Sequence, residues 1–230
     1  MKEVIRFYDQ DFLEKGLENM TEEIAAYLRF EEHYFADVLE NMRNISGKEP
    51  VLIDIGCGNG RILRLADGAC GALYGIDNAK KQTHTAHENV PGALIIYGDG
   101  TMLPLKDGSA DCTTCMYNTL GNIPTYAEQI GALTEMRRVL KEEGIGIVSV
   151  YAEGARDAQK RFYSSLGLEI DSETEDAYIL KEGLHSRRFS IDMLEELFRA
   201  AGLQYNKITE VRINETTTAY ICEVKRVQRH

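Results

Sequence analysis

The run Asp54-Ile55-Gly56-Cys57-Gly58-Asn59-Gly60 puts a carboxylate and three glycines where the apolar stretch Val51-Leu52-Ile53 must give way to a turn. Glycines there let the backbone bend tightly and let a ligand approach closer than a Cβ permits. A plain turn can have the same composition, so the string gains meaning from its neighbours. Asp77 ends the next apolar stretch, Ala72-Leu73-Tyr74-Gly75-Ile76, where a carboxylate can accept hydrogen bonds from a ribose diol. Gly98-Asp99-Gly100 ends a third, Leu94-Ile95-Ile96-Tyr97, where a second carboxylate can reach a purine amino group. The spacing is wrong for a dinucleotide. The fingerprint G-x-G-x-x-G begun at Gly56 requires glycine at position 61 and meets Arg61, leaving the following helix without the usual pyrophosphate seat.

These groups need a scaffold that brings successive strand ends together. Val51–Ile55 is a short β-branched run of the kind buried on both faces of a parallel sheet. From there the texture alternates: helix near 59–67, strand at 72–76, helix at 79–89, strand at 94–97, strand at 110–116, helix at 124–140 and strand at 144–151. This order predicts an α/β fold with right-handed crossovers and helices on both faces of the sheet. In such open sheets, ligands bind outside the carboxyl ends of the strands.

Residues 4–43 read as helical, with apolar residues at Ile24, Tyr27, Leu28, Tyr34, Phe35, Val38 and Leu39 and Thr21 as an N-cap. Gly47 and Pro50 break that pattern. Beyond the fifth strand, 155–166 reads as helix and 167–189 as polar with strand-like pieces at 177–180 and 186–189. Ser190 can cap a helix that Gly202 ends, and Gln204–Ile213 and Thr216–Val227 flank Asn214-Glu215 as a hairpin. We therefore expect a single domain over 1–230: an N-terminal helical lid (1–46), a ligand-binding core (51–150), a cap (151–189) and a closing helix and hairpin (190–230).

Bulk properties narrow the partners. Lys and Arg total 26 against 37 Asp and Glu, a net charge of −11, which opposes the phosphate neutralisation that nucleic-acid binding relies on. No apolar run approaches the roughly 20 residues of a membrane span, and the N-terminus has no apolar signal-peptide core, so the expected location is cytoplasmic. Cys112 and Cys115 have half the spacing of a zinc site, but no second pair follows, and on a strand they point to opposite faces. His84 and His87 share a helix face without a third ligand, so no metal is expected.

Taken together, Val51 to Arg61, Gly75-Ile76-Asp77 and Gly98-Asp99-Gly100-Thr101-Met102-Leu103-Pro104 resemble the class I S-adenosyl-L-methionine-dependent methyltransferases, strongly over about residues 51–150. The resemblance implies a Rossmann-like seven-stranded mixed sheet whose last strand is antiparallel. It also implies that Gly56, Gly58 and Gly60 pass under the methionine part of the cofactor, with Asp54 bracing that loop and favouring the ammonium. Asp77 would hold the ribose hydroxyls with Asn78 beside the adenine. Asp99 would accept from the adenine amino group, and the Gly100 amide would meet a ring nitrogen. In the family the end of strand four lines the cleft between cofactor and acceptor, so Asn118 would offer its carbonyl to the ammonium. Asn118-Thr-Leu-Gly-Asn122 is similar to strings in some small-amine and amino-acid N-methyltransferases; a helix-capping turn at Asn122 is the competing reading. Arg6-Phe7-Tyr8-Asp9 resembles the segment that folds over the cofactor in small-molecule members, where Tyr8 would close on the sulfonium, unless it only anchors a helix.

His185 is the best histidine candidate for a base, against a structural role, and Arg187 and Arg188 either bind an acceptor anion or are surface charge. The expected reaction is in-line methyl transfer to nitrogen, oxygen or sulfur of a small molecule, with an amine or amino-acid-like acceptor favoured. Two other readings stay open: a methyltransferase for tRNA or protein, and a non-catalytic regulatory partner that binds the cofactor. No Asp-Pro-Pro-Tyr-type string follows strand four, which argues against nucleobase amino groups as acceptors.

Overall fold

The computed structural model describes residues 20–213 and 215–227. In chain order come α1 (Glu22–Ser46), β1 (Val51–Ile55), α2 (Arg61–Ala66), β2 (Ala72–Asp77), α3 (Lys80–Asn89), β3 (Leu94–Tyr97) and β4 (Ala110–Cys115). There follow α4 (Thr119–Asn122), α5 (Tyr126–Val139), β5 (Leu140–Ala152), a 3-10 turn, α6 (Arg156–Ser165), β6 (Ile170–Glu173), β7 (Ala177–Leu180) and β8 (His185–Phe189). Last among the described residues are α7 (Ile191–Ala200), β9 (Leu203–Ile213) and β10 (Thr216–Arg226).

The central sheet runs β3-β2-β1-β4-β5-β10-β9, with β1 to β5 parallel and β10 antiparallel to both neighbours. This is the mixed seven-stranded sheet that the resemblance implied, closed by the predicted hairpin. Alternation along the strands divides the core in two. Leu52 and Cys112 face a cluster containing Ile24, Tyr27, Phe35 and Leu39 of α1. Ile53, Ile55 and Cys115 face the other side, against Leu133 and Met136 of α5 and Leu194 and Leu197 of α7. The two cysteines thus lie on opposite faces, both free and buried, and burial pushes both thiols up, that of Cys115 to about 12.

Local chemistry sets the helix boundaries. Thr125, not Asn122, caps α5: its hydroxyl accepts from the Glu128 amide while the Glu128 carboxylate takes the Thr125 amide, a reciprocal capping box. Ser190 Oγ accepts from the Met193 amide at the start of α7, as expected. Strand β5 begins at Leu140, earlier than the expected 144, because Leu140 already pairs with Ala110. The helix foreseen over 4–43 starts at Glu22, after an extended Thr21 at its N-cap, and runs on to Ser46 before Gly47 turns left-handed; residues 4–19 lie outside the described residues.

The cap is a three-stranded extension. Tyr151 and Ala152 of β5 pair with Arg188 and Phe189 of β8, and β7 and β6 follow outward. Because β10 already occupies the other edge of Tyr151, β8 continues on the edge that β4 vacates after Cys115. The cap therefore stands directly above the carboxyl end of β4. No helix among the described residues is long and apolar enough to cross a membrane.

Candidate active site

The tips of β1, β2, β3 and β4 meet at one cleft enclosing about 1140 Å³ of space open to solvent. Its walls include Asp54, Gly56, Gly58, Asp77, Asn78, Asp99 and Gly100, the residues expected to hold the cofactor. Gly60 lies beyond the lining and starts α2 with φ +84°.

The glycine loop is shaped by the neighbouring strand. The Gly56 and Cys57 amides both donate to the Ile76 carbonyl, at 2.7 and 3.0 Å. The Gly58 amide donates to Asp77 Oδ2 at 2.9 Å, and the Ala79 amide to Asp77 Oδ1 at 2.9 Å. Gly56 is required for two reasons: its φ is +74°, and a Cβ there would lie 2.3 Å from Thr119 Cγ2. Asp99 Oδ1 accepts from the Thr101 amide and hydroxyl, each at 2.8 Å. Local amides thus orient both carboxylates, and an ionised carboxylate, with about four acceptor sites, keeps capacity for a ligand. A bare backbone turn flanked by two oriented carboxylates on adjacent strand tips suits a ribonucleoside with a polar tail. The residues present fit S-adenosylmethionine.

Asp54 lies deeper. It is buried, and its Oδ1 accepts from Thr114 Oγ1 at 2.6 Å. Burial raises its pKa to about 7, only partly offset by the Thr114 bond and by Arg61, with Asp77 adding to the rise. A cation arriving above it favours the ionised form.

At the opposite end of the cleft the chain leaves β4 through Tyr117 and Asn118, both left-handed at φ 52° and 59°. Two consecutive non-glycine residues in this region cost of the order of 1–3 kcal/mol each, so the surroundings must enforce the turn. The Asn118 amide donates to the Ser149 carbonyl at 3.1 Å, and Asn118 Oδ1 accepts from the Tyr151 amide at 3.0 Å. Tyr117 lines the cleft with Met116, Thr119, Asn122, Ile123 and Pro124.

The structure separates the remaining candidates. Asn118 is 1% exposed and is not among the cleft-lining residues. Its side-chain Nδ2 also donates to Ser186 Oγ at 3.4 Å and its backbone carbonyl accepts from the Asn122 amide at 3.0 Å, so it braces the turn. His185 sits on β8, also outside the lining. Arg188 is buried within the cap: Nη1 donates to Gln159 Oε1 at 2.9 Å, Nη2 to the Glu175 carbonyl at 3.1 Å, and the guanidinium lies 4.6 Å from the Tyr178 ring centroid. Arg187 pairs with Asp176 at 3.0 Å. His84 is exposed and lies 3.4 Å from Glu88, and the described residues hold no metal-ligand cluster. Tyr8 lies outside the described residues.

Sequence reasoning overlooked Glu31, Arg61 and Tyr117. Arg61 and Tyr117 line the cleft, and Glu31 is fully buried behind them. A signal for Glu31 was present: it falls on the helical stripe of Ile24, Tyr27, Leu28 and Phe35, where an acid has no apolar reason to be.

The fold and cleft resemble those of class I S-adenosylmethionine-dependent methyltransferases, and residues 53–148 match the family described as "Methyltransferase domain". A dTDP-3-amino-3,6-dideoxy-alpha-D-glucopyranose N,N-dimethyltransferase from Streptomyces fradiae is 26% identical over 117 residues, 49% of this chain and 44% of that one. The chain spans less than half the length of the first curated relatives it matches. Among solved structures, a methyltransferase from Methanosarcina mazei superposes with a TM-score of 0.64 at 17% identity, covering 82% of this chain and 97% of the other. An amino pentose methyltransferase from Micromonospora echinaspora, solved with S-adenosylmethionine, gives 0.59 at 16% identity over 88% and 97%. At these identities the structural likeness establishes the fold.

Proposed function

We propose that the chain transfers a methyl group from S-adenosylmethionine to a nucleophilic nitrogen of a small-molecule amine. The observation that carries this reading is the placement of Asp77 and Asp99 on adjacent strand tips beside the bent glycine loop, in one cleft that continues to Tyr117 and Pro124. When bound, the cofactor supplies a methyl group already activated by positive sulfur. The residues here then have to bind, orient and exclude water, and good alignment alone is worth about 7–11 kcal/mol in favourable cases.

An amine is favoured by what surrounds the acceptor end. Among the described residues, the wall from Met116 to Pro124 includes no histidine or carboxylate. The Tyr117 phenol is pushed up by burial, so it is no base at neutral pH. An amine needs only to arrive deprotonated, whereas an alcohol requires a placed base. The dimethyltransferase and the amino pentose methyltransferase act, by their names, on amino sugars, which supports the same class. The net charge of −11 and the cap above β4 speak for a small acceptor over tRNA.

The test is transfer of radiolabelled methyl from S-adenosylmethionine into a pool of primary and secondary metabolite amines, with bulk tRNA and unfolded protein as parallel acceptors. Label in a small basic product is the expected outcome. Label only in RNA or protein, or binding without transfer, overturns it.

A further inference from the structure

Glu31 of α1 does not line the cleft, yet three segments converge on its carboxylate: the start of α2, the turn after β4, and β5. Its Oε1 accepts from the Tyr117 amide at 2.7 Å and from the Ser149 hydroxyl, and its Oε2 accepts from Arg61 Nη2. The Tyr117 amide also reaches Ser149 Oγ at 2.9 Å, and the Tyr27 hydroxyl donates to that oxygen at 3.0 Å. The Arg61 guanidinium in turn lies 5.9 Å from the Tyr117 ring centroid and touches Glu32 at 3.3 Å. One buried acid of α1 therefore holds Arg61, the residue after Gly60, and Tyr117, two residues beyond β4. Both line the cleft, Tyr117 beyond the tip of β4, which β1 separates from the tips of β2 and β3 that carry Asp77 and Asp99.

A buried carboxylate is a costly way to fasten a helix that could pack on apolar contacts alone. What it supplies beyond adhesion is geometry at two points. It accepts the Tyr117 amide of the left-handed turn, which it shares with Ser149 Oγ, and it draws the Arg61 side chain against the Tyr117 ring. Without it, the remaining ion pair of the largely buried Arg61 among the described residues is with the partly exposed Glu32.

We propose that Glu31 is a positioning residue for the amino-acid end of the cofactor, making α1 part of the transfer site through Arg61 and Tyr117. The inference rests on the cofactor reading above and extends it to one end of the ligand.

Two probes separate the ends: S-adenosylhomocysteine, which carries the amino-acid tail, and methylthioadenosine, which lacks it. In calorimetric titrations of the purified chain, Glu31→Gln keeps an oxygen for the Tyr117 amide but loses the charge facing Arg61. It is expected to weaken S-adenosylhomocysteine about tenfold and methylthioadenosine less than about twofold, the scale of coupling through an intermediate residue. The double variant Glu31→Gln, Arg61→Gln removes the unbalanced charge and so protects folding. It is expected to show the same selective loss. Equal effects on both probes, no effect on either, or recovery of S-adenosylhomocysteine binding in the double variant would overturn the role of Glu31. Failure of the wild-type chain to bind either probe would instead overturn the cofactor reading, and the inference with it.

Discussion

The Gly58 amide and the Asp77 carboxylate are joined at 2.9 Å, so the turn after β1 is fastened to the tip of β2 by the same side chain that faces the cleft. One carboxylate oxygen takes the glycine loop and the other takes the start of α3 through the Ala79 amide. Asp77 therefore shapes the glycine loop as well as lining the cleft.

Replacing Asp77 removes both functions. Asp77→Ala should lose S-adenosylhomocysteine affinity by roughly 10- to 150-fold, the equivalent of about 1.5–3 kcal/mol for one charged hydrogen bond. It should also lower the apo melting temperature, because two amides lose their acceptor. Asp77→Asn, with one oxygen left, should fall between. Calorimetry and melting curves on the three proteins check this, and wild-type affinity in Asp77→Ala would remove the ribose assignment.

Asp54 should make both stability and binding depend on pH. Its folded pKa of about 7 lies above the ordinary carboxylate value, so the folded chain holds a proton that the unfolded chain has released. Its contribution is then full below the unfolded pKa, near 4, and declines as pH rises through about 7. Asp54→Asn should flatten this decline and melt higher than wild type at pH 8, by about 2–4 °C for each kcal/mol recovered. Binding of the cationic cofactor should move the other way and strengthen as pH rises through 7. Melting and titration series from pH 5 to 9 read out both signs.

Gly56→Ala tests the cradle. With φ at +74° and Thr119 Cγ2 only 2.3 Å from the new methyl group, the loop or α4 must move. The expected cost is about 1–3 kcal/mol of stability with loss of cofactor binding. Adding Thr119→Gly should recover part of the stability by removing the clash, although the backbone strain persists. Urea denaturation of the single and double variants measures this.

Arg188 provides a contrast from the cap. Arg188→Met should cost about 1–3 kcal/mol by leaving the Gln159 side chain and the Glu175 carbonyl without their donor. Affinity for S-adenosylhomocysteine should stay unchanged, because Arg188 is not part of the cleft wall. A matching loss of affinity would show that the cap shapes the cofactor end.

The part of the cleft around the glycine loop was legible in the sequence because local rules determine it. Strand ends, glycines at a turn and carboxylates one strand apart are encoded by neighbours in the chain, and Gly56, Asp77 and Asp99 came together as spacing implied. The part around the turn after β4 was not legible in the same way. Asn118 looked like a site residue because it follows β4, but the left-handed turn directs its amide into the protein toward Tyr151 and Ser186. Glu31 and Tyr117 are 86 residues apart and meet only once α1 packs on the sheet. Such pairings depend on tertiary docking, which periodicity does not encode.

The position of β10 between β5 and β9 bears on how the chain is made. Residues 146–151 of β5 emerge from the ribosome well before residues 219–224, their partners across that edge. Until then an interior strand is a naked border, open to pairing with any other chain, and β9 fares no better. Biosynthesis thus passes through a window in which the molecule is vulnerable to aggregation, and pairing of β10 with β5 closes it.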